Sequence, residues 1–481
     1  MMFEPKRLHP ISAVLNFAKG LKDAILPIVA IFFFNGNSEG GFLGWLPLIL
    51  TGVFLLIILI GGVVKWLRFV YWIDEGELRI EHGLLFRKKR YIPLERIQSL
   101  DFSEGILHRP FQLVKVSIET AATSGLEAEA VLTAIKRLDA KELEKTIYQQ
   151  KSDPSSAESD AEIIEETSRS LVYQMTTKDL ILMAVTSGGA GVVISGVAVF
   201  LSQITEFLPV GAIYNEVVNW LQFGVVIAGV IAAFVLIIAY GLAVILTILR
   251  FGNFSVFHEG DDLVITRGLL EKKQVTIPLN RIQGIRIDEN IVRQPLGFAT
   301  VSIISAGGSV KEGADQQFKI LPFIKRDQIE PVLTSILPQY ELEVSPESPP
   351  KRAKRRYVFR CIWLPLLISI GVSVFFWPLG LLSFIMIPAF IGLGMLNYRD
   401  AGWNIREKQL MLSNRLITKQ TYFIKKHRIQ SCQFSRSIPE QRGRLSSIEV
   451  MVKTGAGKTR ARCLYLDQDD SETIMSWFQT K

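Results

Sequence analysis

The chain has 481 residues, 49% of them apolar, and a mean hydropathy of +0.28, which is high for a soluble protein and leaves room for about three domains. Its 54 basic and 46 acidic residues leave +8, a balance compatible with nucleic acid or anionic lipid. Cys361, Cys432 and Cys463 form no close pair and match no metal-ligand spacing, which excludes a disulfide framework and leaves reduced thiols as the expected state.

The N-terminus lacks the apolar core and cleavage site of a signal peptide, so no removal is expected. Pro10 suits the first turn of a helix, and Ile11, Val14, Leu15, Ala18, Leu21 and Ile25 fall on one helical face. Lys19, Lys22 and Asp23 make this an interfacial start, running into a membrane segment that ends near Phe34. Gly44–Val64 is 21 residues without a charge, enough to span a bilayer, and Lys65 and Arg68 close it.

From Tyr71 the pattern changes to short Val-, Ile-, Tyr- and Phe-rich runs. Strands are expected at 72–73, 78–80, 84–86, 91–92, 113–120 and 128–135. Glu75-Gly76 and His82-Gly83 sit at tight turns that need positive φ. A helix is expected over 139–149, with Asp139 as N-cap and Leu143 and Ile147 facing inward. Strands closed by one helix describe a small β-barrel-like module with a helical plug.

Residues 152–170 are Ser- and Glu-rich with no apolar period, as in a flexible acidic linker. Thr176-Thr177-Lys178-Asp179 then caps an apolar run over 180–201, and 217–249 is a second charge-free run closed by Arg250. A second β-module follows from Phe254, with its helix near 327–337. A Pro/Ser-rich connector leads to the basic run 351–356. Residues 361–398 carry no charge and are broken at Trp377-Pro378, so they form two short spans. The third β-module closes on a helix from about Asp469.

The organisation expected is a transmembrane hairpin over 1–70, a module over 71–150, an acidic linker over 151–175 and a second hairpin over 176–252. A second module over 253–340, a basic linker over 341–357, a third hairpin over 358–400 and a third module over 401–481 complete the chain. Lys or Arg lies outside both ends of every hairpin and is absent from the intervening loops, which orients both termini and all three modules to the cytoplasm.

The modules are repeats. Gly83-Leu84-Leu85, Ile92-Pro93-Leu94, Arg96-Ile97-Gln98 and Arg109-Pro110-Phe111 return as Gly268-Leu269-Leu270, Ile277-Pro278-Leu279, Arg281-Ile282-Gln283 and Arg293-Gln294-Pro295. A third copy keeps Arg428-Ile429-Gln430 but has Arg415, Lys425 and Arg442 where the glycine and the two prolines belong. With these residues the chain resembles the bacterial pleckstrin-homology-like (PH-like) membrane proteins of the YdbS/YdbT type, and their larger three-module members over almost its whole length. The resemblance implies a multi-pass α-helical membrane protein with three cytoplasmic PH-like modules, each a small, partly open β-barrel plus a C-terminal helix, and three transmembrane hairpins. It implies a non-enzymatic protein of the bacterial cell membrane, acting with a shorter partner of the same family in tolerance to membrane-active peptides. It supplies no ligand and no catalytic residue.

Two groups of residues are candidates for contacts. Arg96 and Gln98, Arg281 and Gln283, and Arg428 and Gln430 fall two apart on one face of an extended segment, where they either bind an acidic group or hydrogen-bond a strand corner. The corner is the favoured reading. Lys351, Arg352, Lys354, Arg355 and Arg356 either touch anionic lipid or set topology. Gly455-Ala456-Gly457-Lys458-Thr459 lacks the first glycine of a phosphate loop, where Val452 stands, and reads as a hairpin turn. The five histidines are scattered, and no catalytic grouping or cofactor site is legible. The expected partners are membrane lipids and a homo- or hetero-oligomer, with no nucleic acid. The expected function is a membrane-anchored scaffold. A transporter component is the alternative, against which the spans' central parts hold no ionisable residue.

Overall fold

The computed structural model describes residues 5–34, 42–84, 86–120, 129–151, 169–187, 224–306, 317–375, 377–454 and 457–480. The first two hairpin loops, most of the acidic linker and much of the run 180–201 lie outside them.

A short strand, β1 (Lys6–Arg7), precedes the first hairpin, α1 (Ile11–Phe34) and α2 (Phe42–Leu67). Module 1 runs β2 (Val70–Asp74), β3 (Glu77–His82), β4 (Lys88–Pro93), β5 (Ile97–Glu104), β6 (Leu113–Thr120), β7 (Ala130–Lys136) and α3 (Arg137–Lys151). Then come β8 (Ser170–Gln174) and the membrane-side helices α4 (Thr177–Thr186) and α5 (Gly224–Phe251). Module 2 continues through β9 (Ser255–Glu259), β10 (Asp262–Arg267), β11 (Lys272–Pro278), β12 (Ile282–Glu289), β13 (Phe298–Ser305), β14 (Gln317–Lys325) and α6 (Ile329–Ile336). The last hairpin is α7 (Lys354–Phe375) and α8 (Ile387–Asp400), joined by a tight 3-10 segment, Leu379–Met386. Module 3 runs β15 (Gly402–Arg406), β16 (Gln409–Arg415), β17 (Lys419–Lys425), β18 (Ile429–Ser435), α9 (Ile438–Arg442), β19 (Leu445–Thr454), β20 (Gly457–Asp467) and α10 (Gln468–Gln479). Among the described residues, Leu48–Leu67, Ala233–Phe251, Lys351–Phe375 and Gly380–Asp400 are long and apolar enough to cross a membrane.

Several local expectations are met and others are corrected. Glu75 (φ 51°), Gly76 (φ 77°) and Gly83 (φ 138°) take left-handed backbone, and a Cβ on Gly83 would stand 1.9 Å from the Phe86 carbonyl oxygen. That turn is why neither Leu84 nor Phe86 lies in a strand. Leu143 and Ile147 are buried, but α3 starts at Arg137, so Asp139 lies in its first turn instead of capping it. There it accepts a hydrogen bond from Lys6 Nζ at 2.8 Å. Thr176 does cap α4, its Oγ1 accepting from the Asp179 amide. The stretch read as acidic linker ends in strand β8, which pairs with β9. The strands flanking the phosphate-loop lookalike pair antiparallel up to Thr454 and Gly457, and Gly455 and Ala456 between them lie outside the described residues.

The described residues fall into two compact units, 1–166 with 271–276, and 167–270 with 277–481. In the first, β1-β2-β3-β4 form one sheet, and Lys272, Lys273 and Gln274 pair with Glu104, Ser103 and Phe102 at the edge of the β7-β6-β5 sheet. Leu78, Ile92 and Leu94 meet Val116, Ile118 and Leu132 in the core between the layers, and α3 adds Leu143 and Ile147. In the second unit, β14-β13-β12-β17-β16-β15 make one six-stranded sheet and β18-β19-β20 a second. Leu410, Leu412, Tyr422 and Ile424 pack there against Val450, Val452, Cys463 and Ile474.

Neighbouring modules share sheets. Each module was expected as a barrel to itself, yet β17 of module 3 pairs with β12 of module 2 from Gly284↔Ile424 to Glu289↔Lys419. The cause is backbone demand: a half-module sheet leaves a row of amide and carbonyl groups at its edge, and the next copy satisfies them. Gly284 permits the close approach, because a Cβ there would sit 2.9 Å from the Phe423 carbonyl oxygen.

Module 2 is tied to α4 by Arg293. This buried guanidinium donates through Nε to Thr186 Oγ1 (2.9 Å), through Nη1 to Thr300 Oγ1 (2.8 Å) and through Nη2 to the Met183 carbonyl (3.0 Å). Burial pushes its pKa down to about 10, which leaves it charged at neutral pH. Two outcomes are expected in thermal unfolding of the detergent-solubilised protein. Arg293→Ala should destabilise by about 3 kcal/mol by orphaning these acceptors, with Arg293→Lys recovering only part because it lacks the planar fork. Gly284→Val should cost about 2 kcal/mol through overpacking, and should speed amide exchange in β17.

Candidate functional site

The repeated Arg-Ile-Gln triplet forms a strand corner in every module. A strand ends, a 3-10 turn follows (Leu94–Arg96, Leu279–Arg281, Lys426–Arg428), and the next strand begins. Pro93 and Pro278 precede the first two turns, and the third manages with Lys425. The glutamine marks a register shift in each case, between Ile97 and Ser99, Ile282 and Gly284, and Ile429 and Ser431. These are β-bulges, which bend a strand and strengthen its twist. Gln283 Nε2 donates to the Arg281 carbonyl at 2.9 Å, and Arg428 Nη2 to the Asn280 carbonyl at 2.7 Å. Arg96 and Gln430 are exposed. Arg428 thus ties the module 3 corner to the module 2 corner, while Arg96 and Gln98 belong to the other compact unit.

The basic run is partly engaged by module 3. Arg352 Nη2 reaches Asp467 Oδ2 at 2.7 Å, and Arg356 donates to the Pro439 carbonyl. Lys351, Lys354 and Arg355 are exposed.

A different feature gathers charge. A cavity of about 540 Å³ opens where α5 ends against module 2, lined by Arg250, Arg286, Arg293 and Lys319 with a single carboxylate, Asp288. The last two turns of α5 contribute Ala243, Leu246, Thr247, Arg250 and Phe251, and α4 ends beside it at Ser187. Strands β12, β13 and β14 bring Arg286, Thr300 and Lys319, while Thr418 and Gln420 arrive from module 3 because β17 lies along β12.

Phe251 is the hub of the cations. Arg250, Arg267 and Lys319 stand over its ring at 5.7, 5.4 and 5.7 Å. Arg286 is paired with Asp288 through Nε and Nη2 at 3.0 and 2.9 Å. The surplus positive charge therefore rests on Arg250, Arg293 and Lys319. Lys319 is exposed through the open cavity, yet protein packs around it on its other sides. That burial holds its ammonium below the ordinary value of 10.5, Arg293, Arg250 and Arg267 push the same way, and Asp288 opposes them. Such a pocket suits a compact anion, which would relieve the mutual repulsion of its cations.

Arithmetic on sequence position could not reveal it, since its cations are contributed by α5, β12, β14 and the loop that follows β12. The one signal available was the repeated proline segment, in which Arg293 stands two residues before Pro295 where the first copy has His108 before Pro110.

The chain matches the family model described as bacterial PH domain over residues 26–151, 205–339 and 362–480. It is similar to the UPF0699 transmembrane protein YdbT of Bacillus subtilis (strain 168), at 37% identity over 490 residues covering 99% of each chain. No solved structure matches it. With its core helices, repeated half-sheets and this spread of matches, the protein belongs to the bacterial PH-domain family and carries that domain three times.

Proposed function

We propose that the protein is a membrane-anchored scaffold that presents its PH-like modules at the cytoplasmic face and takes the phosphate headgroup of an anionic lipid in the module 2 cavity. One observation carries this reading: Arg250, Arg286, Arg293 and Lys319 converge against a single carboxylate beside the end of the apolar helix segment Ala233–Phe251. Basic pockets at the cytoplasmic ends of membrane helices are suited to anionic headgroups. The positive-inside distribution supports the orientation, because Arg250 and the neighbouring cations then lie at the anionic leaflet. A scaffold fits a chain whose repeated corners shape strands and whose spans lack central charges.

The test uses the full-length protein in neutral detergent, titrated with short-chain phosphatidylglycerol and phosphatidylcholine. Saturable binding of the first alone is expected. Removing two headgroup cations in R250A/K319A should weaken it about thirty-fold, at roughly 1 kcal/mol per cation. Equal affinity for both lipids, or an unaffected double variant, would sink the reading.

The lowered Lys319 pKa adds a pH signature. Its charge is present below the lowered value and lost as pH rises through it, at a pH short of the 10.5 of a free lysine. Phosphatidylglycerol affinity should therefore decline on the alkaline side earlier than general lysine titration would predict. K319R, whose charge does not titrate there, should flatten that decline.

A further inference from the structure

Strand pairing between modules follows one rule, seen once in each compact unit. The fourth strand of a module receives the third strand of the next copy, antiparallel and in the same register. Lys272, Lys273 and Gln274 face Glu104, Ser103 and Phe102 on β5, and Lys419, Gln420 and Thr421 face Glu289, Asp288 and Ile287 on β12. At both joins a glutamate closing the fourth strand stands opposite a lysine opening the third. In the second, Lys419 Nζ lies 3.1 Å from Glu289 Oε2, with the carboxylate buried and the lysine half-buried.

The third copy of the fourth strand is β18, which is the terminal strand of its sheet. Gln430, Gln433 and Ser435 are exposed along it, while β12 is buried through most of its length. The other terminal strand with this kind of edge, β4, carries the consecutive cations Lys88, Lys89 and Arg90, where the paired strand β11 has Lys273, Gln274 and Val275, and such a run blunts an edge. From Ile429 to Ser435, β18 carries no charge and no proline. It is built as a joining edge and is not protected as a free one.

The aligned repeat puts Arg436 where Glu104 and Glu289 stand, and Arg87 where Lys272 and Lys419 stand. Arg436 lies over the Phe434 ring at 4.6 Å and 3.7 Å from Glu472, which holds it at the end of the strand. A second copy offering its own β4 would bring Arg87 against Arg436, reversing the favourable pair of both internal joins. We propose that β18 is the docking edge for the third strand of a PH-like module on a different polypeptide, one with an acidic residue opposite Arg436. Main-chain hydrogen bonds would supply affinity and the charged pair the choice of partner.

The proposal stands on strand edges and does not depend on headgroup binding. Its test supplies the missing acid on the protein itself, by sedimentation equilibrium of the full-length chain in neutral detergent. The R87E chain places a carboxylate opposite Arg436 of a second copy. It should self-associate about five-fold more tightly than the natural chain, the scale of replacing a like cross-strand pair by an opposite one. The reciprocal R436E chain should gain similarly, and R87E/R436E, with two carboxylates opposed, should lose the gain. If neither single variant associates more tightly than the natural chain, or the gain persists in the double variant, the proposal is overturned. Phosphatidylglycerol binding should be unchanged in all three, so failure here and failure of the headgroup reading are told apart.

Discussion

A β-strand edge is a row of polar groups that must be paired, covered or kept wet, and the pairing of β12 with β17 answers that requirement between modules. Much else in the second unit follows from it. Six strands become one sheet, Gly284 is needed for the approach, and the Glu289–Lys419 pair closes the far end in a buried setting. The same pairing delivers Thr418 and Gln420 to the wall of the cationic cavity. A module taken alone would lack that wall, so the candidate site is a property of adjacent repeats.

Attachment to the membrane-side helices rests on a second kind of interaction. Arg293 spends its planar fork on α4 and on its own module, and Phe251 at the end of α5 gathers cations over its ring. Module 3 makes the attachment differently: Tyr357 on α7 donates to the Leu464 carbonyl at 2.5 Å and packs edge-on against Tyr465. Helices α4, α5 and α7 are thus packed on their modules as well as joined to them in sequence.

The drifted third copy has a physical account. Where Gly83 and Gly268 take left-handed backbone, Arg415 lies within strand β16, its buried guanidinium 2.5 Å from Asp400 and bonded to Gln294 of module 2. The loss of Pro278's counterpart at Lys425 is tolerated because the 3-10 turn and the following bulge form without it. Its neighbours differ from those of the second copy at the fourth strand: both copies meet a preceding module through the third strand, but β18 ends its sheet.

Periodicity and repetition determined the elements: apolar runs long enough for a membrane, alternating strands, the plug helices with Leu143 and Ile147 inward, and three copies of one module. Those features depend on neighbours within a few residues, which a sequence displays directly. The strands at β1, β5 and β8 were less legible. β1 is two residues long, β5 mixes polar and apolar residues, and β8 abuts an acidic tract. Three decisions belonged to the tertiary structure alone. It decided that the strand corners read from the Arg-Ile-Gln triplets carry bulges, that cations distant in sequence meet at the end of α5, and that strands of successive modules share sheets. Each depends on which strand satisfies which edge, and backbone hydrogen-bonding groups are the same in every residue but proline, so no side-chain pattern announces the choice.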